Sequence, residues 1–151
     1  SLVGSEMCIR DRMKEMIRVA AGEPLSVKQE DIHLQGHAME CRINAEDPAH
    51  HFRPCPGVIE EIHLPGGNGV RIDTAAYNGY EIPPFYDSMI AKVIVHGRTR
   101  QEAIDKMRST LGELIIDGVT TNVDFQYEIL DNEDFQAGEI TTDFIPMHFN
   151  L

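Results

Sequence analysis

From His37 onward the hydrophobic period of this chain switches once, across "HGRTRQE" (His96–Glu102). Before that point, apolar residues either alternate with polar ones or run on continuously, as in strands. After it they recur every three or four residues, as in helices. His37, Met39, Cys41 and Ile43 alternate with Ala38, Glu40, Arg42 and Asn44, which predicts a half-buried strand over His37–Asn44. Val58–Leu64 and Val70–Thr74 read as two further strands. Met89–His96 is apolar apart from Lys92, as expected of a strand buried on both faces. "RPCPG" (Arg53–Gly57), "PGGNG" (Pro65–Gly69) and "YNGY" (Tyr77–Tyr80) supply the turns, through fixed proline φ and glycine tolerance of positive φ.

Downstream, Thr99 and Glu102 match the S/T-x-x-E capping box. Ala103, Ile104, Met107, Leu111, Leu114 and Ile115 then mark one face of an amphipathic helix over Gln101–Ile116, ended by Asp117-Gly118. Asn122–Asp131 predicts a second helix capped by Thr121 or Asn122, and Thr142–Phe149 a last helical turn. Upstream, Met16, Ile17 and Ala20 predict the end of a helix over Lys14–Ala21, stopped by Gly22 and Pro24. Strands first and helices after predict the α+β class: an antiparallel sheet packed by helices.

The length of 151 residues suits one domain with a real core. The opening "SLVGSEMCIRDR" has no apolar stretch of the kind a signal peptide carries. It reads as translated adapter sequence, so residues 1–12 are expected to be a non-native leader and residues 13–149 the domain. The natural polypeptide would then begin before Met13. The alternative is a natural disordered N-terminus.

A net charge of −12 argues against nucleic acid and an anionic membrane surface as partners, since both need a basic footprint. No apolar run approaches the ~18–20 residues of a membrane span. Three cysteines without a C-x-x-C pair argue against a disulfide framework and against a cysteine zinc site, and a reducing cytosol is the simplest compartment. None of the seven histidines falls in H-E-x-x-H, so no metal site is expected. "GGNG" lacks the Lys-Ser/Thr and the following helix of a phosphate loop and reads as a hairpin turn. No nucleophile-elbow motif is present.

Arg42 is the singular residue. Alternation puts it on the polar face of its strand with Glu40 and Asn44. One reading is an exposed ion pair with Glu40 or Glu46, worth ~0–1 kcal/mol. The other is a permanent cation with a planar fork of donors, suited to an oxygen that becomes anionic during a reaction.

Five stretches bear on this choice: "AAGEPL" (Ala20–Leu25), "GHAMECRINAEDP" (Gly36–Pro48), "PGGNGVRID" (Pro65–Asp73), "IPPFYDSMIAKVIVHG" (Ile82–Gly97) and "DGVTTN" (Asp117–Asn122). In this order and spacing they resemble the C-terminal third of biotin carboxylase, an ATP-grasp enzyme, from about Met13 to Phe149. The resemblance implies a two-step reaction. ATP, with Mg2+ or Mn2+, activates bicarbonate to carboxyphosphate, and the deprotonated ureido nitrogen of biotin attacks the carbon. The family's arginine in E-C-R-I-N-A-E-D-P donates to the ureido oxygen, and Arg42 matches it. Asn68 and Arg71 match a two-fold dimer interface, with Asn68 standing where some members carry an aromatic. Asp87 matches an acidic position near that interface and site, its alternative role being to cap a turn. Thr142, in "GEITTDFI" (Gly138–Ile145), matches the adenine side of the ATP site, and it also suits a helix N-cap.

The family's glycine-rich lid, phosphate-binding lysines, magnesium-binding carboxylates and bicarbonate base would all precede Met13. The resemblance therefore implies a chain inactive by itself, with buried surface laid bare and reduced solubility. It further implies a cytoplasmic parent that forms a homodimer and works with biotin carboxyl carrier protein and carboxyltransferase subunits. The chain ends just after the last helix expected of the domain, which favours the separate subunit of acetyl-CoA carboxylase, serving malonyl-CoA and fatty-acid synthesis. The alternatives are a piece of a multidomain pyruvate or propionyl-CoA carboxylase, or a non-catalytic dimerisation module.

Overall fold

The computed structural model describes residues 12–149. The expected leader lies outside them except for Arg12, which opens helix α1 (Arg12–Ala20). No residue of α1 is buried. The connector folds back on it: Glu15 accepts hydrogen bonds from the Ser26 amide (3.1 Å) and hydroxyl (2.7 Å), which hold its carboxyl below the usual range. Leu25 and Leu34 in this connector are exposed.

The centre of the domain is a three-stranded antiparallel sheet in the order β1-β6-β5, formed by β1 (His37–Asn44), β5 (Val70–Thr74) and β6 (Met89–Gly97). The register pairs Cys41 with Val93 and Val93 with Ile72, so inward side chains of all three strands share one face. That face carries Cys41, Ile43, Ala91, Val93 and Val95, all buried. Helix α2 (Arg100–Glu113) lies over it with Ala103, Ile104, Met107 and Leu111. The Thr99 hydroxyl accepts from the Glu102 amide (3.2 Å), as the capping box requires. The return bond is displaced by one residue: Glu102 accepts from the Arg98 amide (3.1 Å), which lowers its pKa.

β6 differs from its sequence-based expectation. One face is buried, while on the other Ile90 is buried but Lys92, Ile94 and His96 are only half-buried. Its apolar run reflects a central position, with a paired strand on each edge, rather than cover on both faces. The expected strand Val58–Leu64 shortens to β4 (Glu61–His63). "RPCPG" is more than a turn, because β3 (Arg53–Pro54) pairs with β2 (Glu46–Asp47). The tip of that hairpin holds His51 and Phe52 at φ 56° and 55°, with the Phe52 ring edge-on to Phe125 at 5.2 Å.

The expected helix Gln101–Ile116 also ends early. Leu114 is extended, and Ile115–Asp117 forms β7, antiparallel to β4. Leu114 and Ile115 continue the helical spacing, but tertiary pairing of this β-branched segment prevails. Gly118 follows at φ +96°, where a Cβ would collide with the Val58 carbonyl oxygen, so only glycine permits this close approach. Helix α3 (Val123–Asp131), the short α4 (Glu133–Ala137) and α5 (Phe144–His148) complete the domain. The antiparallel sheet with packed helices is the α+β fold expected from the order of periods.

Candidate functional site

The second face of the sheet is open, and its charges lie in cross-strand rows. Arg42 on β1 stands opposite Lys92 on β6, and Lys92 stands opposite Asp73 on β5. In the next row Glu40 faces Ile94, and Ile94 faces Arg71. Two cations directly opposite each other repel, so each needs its own anion. Lys92 Nζ lies 3.8 Å from Glu40, and Arg42 Nη2 lies 3.6 Å from Asp87. Arg42 therefore pairs with neither Glu40 nor Glu46. The first is drawn diagonally to Lys92, and the second accepts from the Ser88 hydroxyl (2.5 Å).

Asp87 has a double role. Its Oδ1 accepts from the Met89 amide (3.0 Å), so it does cap a turn, while Oδ2 faces Arg42. The loop is held next to it, because the Ala45 amide donates to the Ser88 carbonyl (2.8 Å). The Arg42 and Asp87 side chains remain 55% and 49% exposed. The guanidinium thus has one carboxylate nearby and is otherwise open to solvent. The adjoining Phe85 and Tyr86 rings stand in solvent.

The backbone of Arg42 and Asn44 is bonded by a residue that sequence reasoning treated only as a cap. Asn122 precedes α3, yet its side chain makes no capping bond to that helix. It turns to the free edge of β1 instead. The Asn44 amide donates to Asn122 Oδ1 (2.9 Å), Asn122 Nδ2 donates to the Arg42 carbonyl (3.2 Å), and the Asn122 amide donates to the Asn44 carbonyl (3.1 Å). "TTN" before a helix signals an N-cap, and nothing local shows that this asparagine serves a strand about 80 positions away.

The remaining sites lie apart from this pair. Asn68 is exposed in the turn before β5. Arg71 grips Asp73 through two parallel hydrogen bonds of 2.8 Å each. Thr142 is exposed and is not the helix cap, since the N-cap position of α5 is Asp143. Its neighbour Thr141 lines a cavity of about 290 Å3 with Met39, Cys41, Ile129, Ile140 and Phe144. That apolar lining suits a flat ring better than a charged group. Among the described residues no cluster of His, Cys, Asp or Glu could hold a metal ion. Among them, too, no helix is long and apolar enough to cross a membrane. Cys41, on the core side of β1, is pushed up to about 12 by burial, with the Glu40 charge adding to the effect, so its thiol is inert at neutral pH.

The fold is α+β, an antiparallel sheet packed by helices, and its second face carries an exposed arginine–carboxylate pair. The family model for the biotin carboxylase C-terminal domain matches residues 40–147, and the chain belongs to that family. It is 53% identical to biotin carboxylase 1 of Bacillus subtilis over 135 residues, covering 89% of this chain and 30% of that protein. It is 55% identical to a pyruvate carboxylase subunit of Methanothermobacter thermautotrophicus, covering 89% of this chain and 28% of that one. Among solved structures, the biotin carboxylase domain dimer of Hydrogenobacter thermophilus 2-oxoglutarate carboxylase, in complex with MgADP, ADP and bicarbonate, superposes with a TM-score of 0.88. The identity there is 42%, over 97% of this chain and 34% of that one. The chain spans about 30% of the length of the curated relatives it matches.

Proposed function

We propose that residues 13–149 form the biotin-facing part of a biotin carboxylase, in which Arg42 holds the ureido oxygen of biotin. The observation that supports this reading is the guanidinium itself, exposed on an open sheet face within the family's motif and 3.6 Å from Asp87. When the ureido nitrogen of biotin loses its proton, negative charge appears on the ureido oxygen. A cation already in place stabilises that charge without reorganisation, and this lowers the barrier. Asp87 lies 3.6 Å from the guanidinium without burying it. ATP, Mg2+ or Mn2+, and bicarbonate belong to the parent reaction. No residue set among those described fits the metal, and in this reading Thr142, next to Thr141 of the largely apolar cavity, stands on the adenine side.

In this reading residues 1–12 are a leader foreign to the domain. Asn68 and Arg71 lie at the contact between two copies. The parent works in the cytoplasm, with a biotin carboxyl carrier protein and carboxyltransferase subunits. Acetyl-CoA is the eventual carboxyl acceptor, so the parent serves fatty-acid synthesis. The 55% identity to a pyruvate carboxylase component favours pyruvate as the second reading.

The test is a chimera with residues 13–149 replacing the matching segment of the Bacillus subtilis relative. It is expected to hydrolyse ATP in a biotin- and bicarbonate-dependent way, whereas the 151-residue chain alone does not. Arg42→Ala in the chimera is expected to lower biotin carboxylation by ~10²–10³, the usual effect of removing one oxyanion donor. An unaltered rate would return Arg42 to a surface ion pair.

A further inference from the structure

We infer that Asn122 is a positioning residue for Arg42, acting as a one-residue substitute for a missing strand along the free edge of β1. This rests on the role proposed for Arg42, but its structural core is independent of that role. β1 is an edge strand, hydrogen-bonded to β6 on one side only. Backbone groups on the other side need partners, and a segment lacking them frays. The register also slips between Ile43 and Asn44, where a bulge disturbs the pairing with β6. Arg42 thus precedes the weakest point of its own strand.

Asn122 meets that need. Its carboxamide presents one acceptor and one donor in the geometry of a peptide unit, and its own backbone amide adds a second donor. The three bonds, 2.9, 3.2 and 3.1 Å, all fall on Arg42 and Asn44, the residues on either side of the buried Ile43. Asn122 is itself 4% exposed, so water does not compete for these groups. Aspartate has the same shape but lacks the donor that the Arg42 carbonyl uses. Alanine lacks both side-chain partners. The assignment therefore separates a specific amide function from mere space-filling.

Two readouts in the 151-residue chain decide it. Amide hydrogen exchange is followed at Asn44, whose proton Asn122 accepts, and at Val93 on the central strand, which reports global opening. The Nε–H resonance of Arg42 reports the guanidinium. In Asn122→Ala, the Asn44 amide is expected to exchange about ten- to a hundredfold faster relative to Val93, and the Arg42 resonance to move. In Asn122→Asp, Asn44 is expected to stay protected while Arg42 still moves. Equal acceleration at Asn44 and Val93 with an unmoved Arg42 resonance in Asn122→Ala would reduce Asn122 to a general fold contact. Should that variant not fold, an unmoved Arg42 resonance in Asn122→Asp has the same force. In the chimera, Asn122→Ala is expected to lower kcat for biotin carboxylation about ten- to a hundredfold with KM for ATP unchanged. A chimera inactive even without substitution would sink the proposed function, while the exchange and resonance data would still decide the role of Asn122.

Discussion

The two faces of the central sheet are built from alternate residues of the same three strands, yet they obey different physics. On one face Cys41, Ile43, Val93 and Val95 meet helix α2, and shape and volume decide what fits. On the other, Arg42, Lys92, Glu40, Asp73 and Arg71 stand half in solvent, and charge order decides. Arg42 and Ile43 make the contrast sharpest, being neighbours in the chain with opposite surroundings. A half-exposed guanidinium is of little use to the fold and is therefore free to serve a ligand. A residue that stabilises the core has no such freedom.

That contrast can be broken most directly by truncation on the core face. Ile43 is fully buried, so Ile43→Ala is expected to destabilise the chain by about 2–5 kcal/mol, measured by urea unfolding. A loss below about 1 kcal/mol would mean that the core face is less tightly packed than described.

Alkaline titration probes the same face through a single proton. The Cys41 thiol, raised from 9.0 to about 12, stays neutral in the folded chain where the unfolded chain ionises. Its contribution is fully present below about pH 9 and is lost as pH rises towards 12, roughly 4 kcal/mol in all. The difference in alkaline unfolding between the parent chain and Cys41→Val should carry that slope. Parallel curves for the two would place the thiol in contact with solvent.

The smallest effect belongs to the open face. Arg42→Ala is expected to change folding stability by only ~0–1 kcal/mol, because its pair with Asp87 is half-exposed and screened. A loss as large as that of Ile43→Ala would erase the distinction between the faces and assign Arg42 to structure.

Much of this arrangement is legible in local pattern. Alternation over His37–Asn44 already separates Cys41 and Ile43 from Arg42, because side chains along a strand must point to opposite faces. The Thr99–Glu102 cap is equally local, since it joins groups three residues apart. Local pattern fails at Ile115–Asp117, whose spacing continues a helix but whose backbone pairs with β4. It fails at β6 too, where an apolar run cannot tell central placement from two covered faces.

By itself, then, the sequence determined the α+β class, the face on which Arg42 lies and the family motif around it. All of these follow from periods and spacings within a few residues. Only the tertiary structure decided that Arg42 pairs with Asp87 rather than Glu40, that Lys92 draws Glu40 away, and that Asn122 clamps the edge of β1. Those choices are competitions among charges and unpaired backbone groups brought together by register and packing. Sequence separations of 78 and 80 positions, as for Asn122 with Asn44 and Arg42, leave no trace in any local period.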